Sequence, residues 1–153
     1  MVRITCRQPD FIIAVNTVMP AVHERPSLFG GSGGILLTAE AARLRLSARD
    51  AATVIETVAP ATIEGEGSIL LQGRLLRSVV RGLGDGEPVV FEVGEAATLC
   101  WKKCNFELQP LSSVGEPSVE APIIEGPTVE VNGPAFFGAV ARVACCAAKD
   151  GGQ

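Results

Sequence analysis

Three arginines in the stretch QGRLLRSVVRGLGDG, residues 72–86, have the type and spacing to meet anions. At about 100° per residue on an α-helix, Arg74, Arg77 and Arg81 fall within roughly 60° of arc. We name these three residues the arginine stripe. The opposite side of the helix would carry Leu75, Leu76, Val79, Val80 and Leu83. A basic stripe of this kind is typical of a solvated helix surface, and it is also what a protein presents to a polyanion, so the stretch alone leaves both interpretations open.

Other groups in the chain lack the arrangement that their chemistry needs. Five cysteines and the single His23 contain no Cys-x-x-Cys pair, so the sequence predicts no metal site. The stretch GGSGG, residues 30–34, leads into a strand rather than opening a helix, which disfavours a nucleotide cradle. Glu64 and Glu66 flank a turn glycine without a third orienting group. The sequence therefore predicts no catalytic residue and no cofactor, and we do not expect an enzyme.

Trp101, followed by Lys102 and Lys103, has the composition of a platform for stacking single-stranded bases. A stacking platform needs several aromatic residues, and this short stretch has only one. The favoured alternative is a hairpin tip that packs partly on the sheet. Cys100 and Cys104 have the separation of cross-strand neighbours near the same turn. Reduced, buried thiols account for such cysteines without further chemistry.

Composition limits the class of protein. Of 153 residues, 47% are hydrophobic and 20% are charged, and the net charge is −4. This balance disfavours a protein that coats nucleic acid with its whole surface, but it is compatible with a single basic face. The N-terminus lacks the apolar core of a secretion signal, and Arg142 interrupts the most apolar stretch short of a membrane span. We expect a cytoplasmic protein that has no membrane partner.

Periodicity predicts the elements that must position the arginine stripe. The strand VRITC precedes a helix that begins at Pro9 and ends before Pro20, and a hairpin and a further strand follow. The strand SILLQ, the arginine helix ending at Gly82, and three more strands repeat that order. The sequence therefore predicts an α+β fold made of two strand-helix-sheet halves, with two helices packed on a curved antiparallel sheet.

The chain then starts this pattern again. Residues 112–127 are rich in proline, glycine and acidic residues, which is typical of a linker. Beyond them PAFFGAVARV, at 134–143, matches PDFIIAVNTV, at 9–18, in five positions at one constant offset, and the alternating segment TVEVN precedes it. We predict a first domain at 1–111, a linker, and the incomplete start of a second domain, one strand plus one helix, at 128–153.

Three short motifs occur in a recognisable order. HERPSL lies before the first hairpin, QGRL opens the arginine helix, and KKCNF joins the last two strands. In order and spacing they resemble the bacterial beta sliding clamps, the beta subunits of DNA polymerase III, which have Arg-Pro-Thr-Leu-Pro, Pro-Ala-Arg-Lys and Gly-Arg-Ser-Arg-Phe at these places. The resemblance covers Val2 to about Pro122 and the start of the second repeat. It implies a DNA clamp fold.

The resemblance also implies a function: a processivity factor that meets duplex DNA, without sequence preference, during DNA replication. The matching family positions imply DNA-facing roles for Arg25, Arg74 and Arg81, and Arg77 is our addition from helical geometry. Lys102 and Lys103 lie where basic residues of the family serve DNA contact and ring closure. The expected DNA-binding residues are Arg25, Arg74, Arg77, Arg81, Lys102 and Lys103.

The family's other partners are DNA polymerase and the clamp loader, whose peptides bind between the second and third domains, a pocket this chain does not contain. A full-length chain is expected to form a homo-oligomer. The alternative hypothesis is a clamp-derived protein-interaction module, which binds or blocks a partner without encircling DNA.

Overall fold

The computed structural model divides into two units, Met1–Ala121 and Pro122–Gln153. The residues that the structure describes are 1–22, 33–50, 53–84, 86–111, 126–127, 129–144 and 146.

The first unit contains two halves with the same order of elements, one strand, one helix and three strands. The first half consists of β1 (Val2–Arg7), α1 (Gln8–Val18), β2 (Gly34–Glu40), β3 (Arg43–Arg49) and β4 (Val54–Glu64). The second half consists of β5 (Gly67–Gln72), α2 (Gly73–Gly82), β6 (Pro88–Val93), β7 (Ala97–Trp101) and β8 (Cys104–Leu108). The predicted α+β class and the predicted order of elements are both confirmed.

All eight strands belong to one antiparallel sheet in the order β5-β2-β3-β4-β1-β6-β7-β8. Strand β4 joins the two halves of this sheet. Its first part pairs with β3 up to Pro60, and its last part, from Ala61 onward, pairs with β1. The long strand thus changes partner at a proline, which has no N–H to donate to a ladder.

The two halves are related by an approximate internal symmetry of strand pairing. Strand β1 pairs with the end of its own half, β4, and with β6 of the other half. Strand β5 pairs with β2 of the other half, and it also meets the end of its own half, because the N–H of Leu111 donates to the carbonyl of Leu70 at 2.9 Å. A bridge between Leu71 and Pro110 accompanies that bond, so the two ends of the sheet approach each other.

The core lies between the sheet and the two helices. Phe11 of α1 meets Phe91 of β6 edge to face, with 5.0 Å between ring centroids, and both side chains are fully buried. The side-chain Nε2 of Gln8, at the start of α1, donates to the carbonyl of Leu83, just past α2, at 3.1 Å. This buried hydrogen bond ties the beginning of one helix to the end of the other.

The second unit has one helix among its described residues, α3 (Gly133–Ala144), which the sequence predicted. Asn132 caps it, since its side-chain oxygen accepts a hydrogen bond from the N–H of Ala135 at 3.1 Å. The strand predicted before this helix does not form over Val129–Asn132. A strand is held by the ladder to its neighbour, and the described part of this unit contains no second strand to pair with it.

Candidate nucleic-acid interface

Helix α2 buries one face and exposes the other. Leu76 and Val80, one turn apart, are buried, and each stabilises the fold by about 1.5–3 kcal/mol through removal from water. On the other side Arg74 and Arg81 are exposed, and Arg77 is half-buried. The predicted separation of an apolar face from a basic face is confirmed.

The buried face is nevertheless narrower than predicted. Val79 is only half-buried, and Leu75 is 45% exposed. The reason is geometric: α2 is covered by α1 and by strands β2 and β5, and these cover only the arc centred on Leu76 and Val80. Leu75 thus belongs to the solvent side of the helix.

The arginine stripe lies along one shallow depression of about 350 Å³, lined also by Met19, Val22 and Ser78. Met19 lies in the 3₁₀ turn Met19–Ala21 that follows α1, and Val22 comes directly after that turn, so the depression is built by both helical segments. Helix α2 contains no acidic residue that could form an intrahelical ion pair with the stripe.

Arg77 has a donor directed into the protein. Its Nε is buried and has no hydrogen-bond partner among the described residues. A buried N–H without an acceptor lowers the stability of the fold by about 1–3 kcal/mol. An anion in the depression would lie close to this guanidinium, and phosphate matches its forked geometry.

Lys102 and Lys103 form the two-residue turn between β7 and β8, where Trp101 pairs with Cys104. The backbone of Lys102 is left-handed, with a φ of 53°. Its Nζ lies 4.4 Å from the centroid of the Trp101 ring, a cation–π contact. The ring also packs against the core, so the hairpin-tip interpretation is favoured over the stacking platform.

The structure brings the three members of the arginine stripe together and places Lys102 and Lys103 on a separate turn. Arg25 lies outside the described residues. Sequence reasoning missed Val22 and Met19 as lining residues, because apolar residues in a connection carry no signal for a groove. It also missed the packing of Trp101 against Gly84, where an ideal Cβ would lie 3.5 Å from the indole ring.

The expectation of buried thiols is wrong for Cys104, which is exposed, and Cys100 is only half-buried. Cys100 pairs with Asn105, and Cys104 pairs with Trp101, so the two cysteines are one position out of register and point to opposite faces of the hairpin. Burial, with a smaller contribution from Asp10, raises the pKa of the Cys6 thiol from 9.0 to about 12, which keeps it protonated and unreactive.

Within the described part of the chain, no group of three or more His, Cys, Asp or Glu residues is arranged to hold a metal ion. Of the helices in the same residues, none combines the length and the apolar character that crossing a bilayer requires.

Comparison with known proteins assigns the first unit. A family model described as the N-terminal domain of the DNA polymerase III beta subunit matches residues 2–118. The chain belongs to this family. It is 32% identical over 117 residues to the beta sliding clamp of Micrococcus luteus, and the matched region covers 76% of this chain and 37% of that protein. It is 33% identical over 117 residues to the beta sliding clamp of Streptomyces coelicolor, covering 76% and 31% respectively.

Solved beta sliding clamps have the same fold. A DnaN sliding clamp from Bartonella birtlesii superimposes with a TM-score of 0.70 at 28% identity, covering 83% of this chain and 33% of that one. The DNA polymerase III beta subunit of Thermotoga maritima gives a TM-score of 0.85 at 20% identity over 98% of this chain and 41% of that one, a likeness of fold alone. The chain thus spans about a third of the length of the curated relatives it matches.

Proposed function

We propose that this chain is part of a sliding-clamp-type processivity factor for DNA polymerase, acting in DNA replication, and that it meets duplex DNA through the arginine stripe. The observation that carries the proposal is the alignment of Arg74, Arg77 and Arg81 along one depression, on a helix without acidic residues, in a member of the beta-subunit family. Arg25, Lys102 and Lys103 are proposed as further DNA contacts.

The chemistry suits an accessory subunit that slides. Contacts from arginine and lysine to phosphate carry no sequence information and exchange readily with salt ions. A protein that uses only such contacts can hold DNA without fixing its position along the duplex. In this proposal the chain performs no catalysis, and enclosure rather than tight binding retains the DNA.

The proposal extends to organisation and partners. Residues 1–111 form the first clamp domain, 112–127 a linker and 128–153 the start of a second domain, as the matching helices at 9–18 and 134–143 suggest. Duplex DNA is the proposed partner of this chain, and the cytoplasm is the proposed compartment. A polymerase, a clamp loader and the further copies that complete a ring are proposed as partners of a full-length clamp, because the peptide pocket lies between its second and third domains.

The test is duplex binding by the full chain across a salt series, measured by fluorescence anisotropy of a labelled DNA. With three to five phosphate contacts, the log–log slope of affinity against salt should be about −3 to −4. In the double variant Arg74→Gln/Arg81→Gln the magnitude of this slope should fall by about 2, because each phosphate contact contributes about 0.9.

The matched control is Arg3→Gln/Arg43→Gln, which removes the same charge from two exposed arginines. Each lies next in sequence to a buried strand residue, Ile4 or Leu44, and therefore points away from the helices. Equal losses in the two double variants would refute a localised DNA surface, as would sequence-selective or salt-resistant binding.

The clamp-derived interaction module stays as a second candidate because of one observation. Helix α3 exposes large apolar side chains, with Phe137 72% and Val143 65% exposed, which is typical of a surface that meets another protein. Loss of partner binding in Phe137→Ser, with no DNA binding in the wild-type chain, would favour this candidate over the first.

A further inference from the structure

The β7–β8 hairpin reaches the same side of the sheet as helix α2. In β7 the buried residues Ala97 and Leu99 alternate with partly exposed ones, and the half-buried Trp101 lies on the same face, two residues further along. Buried strand residues face the helices, because the core cluster contains them together with Leu76 and Val80 of α2. The indole of Trp101 therefore projects toward the helical layer.

The indole meets the chain directly after α2. Gly84, two residues past the end of the helix, presents bare backbone to the ring, since its ideal Cβ would lie 3.5 Å from both Cη2 and Cζ2 of Trp101. Arg81, the last member of the arginine stripe, lies in the final turn of the same helix. The contact thus joins the C-terminal end of the stripe to the β7–β8 turn.

The side chain of Lys102 lies over this ring. Its Nζ lies 4.4 Å from the ring centroid. Its backbone takes the left-handed conformation, which residues other than glycine rarely adopt. The indole N–H is buried without a hydrogen-bond partner in the described part of the chain, so packing and the cation set the orientation of the ring.

From this geometry we infer that Trp101 is a positioning residue, which fastens the Lys102 turn to the end of α2 and so extends the DNA surface beyond the arginine stripe. The inference rests on the proposed function, because it assigns Lys102 to the same DNA surface. It separates two adjacent lysines: the ring pre-positions Lys102, whereas Lys103 makes no such contact with any residue that the structure describes. The ordered ammonium reaches phosphate with less loss of side-chain freedom.

The chain offers a direct reporter, since Trp101 is its only tryptophan and it has no tyrosine. In the absence of DNA, Lys102→Gln should change the emission of Trp101 and increase its quenching by acrylamide. The matched control, Lys103→Gln, should leave both unchanged. Identical spectra for the two variants would overturn the inference whatever the DNA measurements give.

The second measurement is the salt slope of duplex binding by the full chain. Lys102→Gln should lower its magnitude by about 0.9, the value of one phosphate contact. Trp101→Leu removes no charge, yet it should lower the slope by a similar amount, and the double variant should lose no more than either single one. Trp101→Phe, which keeps an aromatic face for Lys102, should restore most of the slope.

A purely structural role would lower the melting temperature without changing the slope. If Trp101→Leu does not fold, the comparison of Lys102→Gln with Lys103→Gln tests the inference. Only Lys102→Gln should change both the acrylamide quenching of Trp101 and the salt slope of duplex binding. A wild-type slope in Trp101→Leu, while Arg74→Gln/Arg81→Gln still weakens binding, overturns the positioning role alone. Failure of the wild-type chain to bind DNA overturns the proposed function, and the role of Trp101 with it.

Discussion

At the scale of single residues, the start of α2 shows how tightly the site is packed. Gly73 is the first residue of the helix, and an ideal Cβ there would lie 2.8 Å from Cγ1 of Val22 and 3.2 Å from Cγ1 of Ile35. The backbone N–H of Gly73 also donates to the carbonyl of Gly33 at 3.1 Å, which limits any shift of the helix. Glycine is required here by space and not by backbone conformation.

We therefore expect Gly73→Ala to destabilise the first unit by about 1–2 kcal/mol, because the overpacking cost exceeds the gain in helix propensity. In a Val22→Ala background the obstructing methyl groups are gone, and the same substitution should be neutral or stabilising. Urea unfolding of the four proteins in this double-mutant cycle measures the effect. Simple additivity of the two substitutions would contradict the packing argument.

Single residues are also where prediction from the sequence was weakest. Arg74 and Arg81 were assigned correctly to the exposed face, because helical periodicity depends only on spacing. The buried Nε of Arg77 and the stacking of Lys102 on Trp101 were not predictable, since each depends on residues brought together by the fold. Whether these residues touch DNA stays a prediction.

At the scale of elements, the sequence predicted all eight strands and both α-helices of the first unit, but it missed the 3₁₀ turn Met19–Ala21 and several boundaries. The β2–β3 connection is a two-residue turn, Ala41–Ala42, although neither residue favours a turn. Ala41 takes a left-handed φ of 41°, and Glu40 and Arg43 pair across the turn and form an ion pair. The pairing of β2 with β3 therefore imposes the left-handed conformation on Ala41, although alanine does not favour it. This pairing forms only in the folded protein, so the sequence pattern did not predict the turn conformation.

Helix α2 carries a prediction of its own. Leu75 is 45% exposed, next to Arg74, at the position where the sequence pattern of the family has a lysine. Leu75→Lys should lower stability by no more than about 1 kcal/mol, because nearly half of the side chain is already exposed and the apolar stem of lysine can cover part of the same surface. It should raise the magnitude of the salt slope of duplex binding by about 0.9.

The measurement pairs thermal melting with anisotropy, and Leu76→Lys serves as the buried control. Leu76 is fully buried, so a charge there should prevent folding or cost at least about 3 kcal/mol. Comparable destabilisation by both substitutions would show that Leu75 belongs to the core after all.

At the scale of the whole molecule, the two units differ in how completely they bury their apolar residues. Among the residues that the structure describes, every member of the buried core lies in the first unit, where the two helices cover the sheet. Helix α3 repeats the pattern of α1, yet none of its described residues is buried, and Phe136 meets Phe137 edge to face with 6.0 Å between ring centroids. In α1 the corresponding Phe11 is fully buried.

This contrast predicts the effect of removing the second unit. A protein that ends at residue 125 should keep the melting temperature of the first unit, because all eight strands and the core lie before that point. It should also elute as a smaller species on size-exclusion chromatography, since exposed apolar patches promote association. The full chain with Phe137→Lys and Val143→Lys is the length-matched control, and it should shift toward the monomer in the same way. If the truncated protein fails to fold, residues beyond 125 contribute to the first unit, and the proposed domain boundary is wrong.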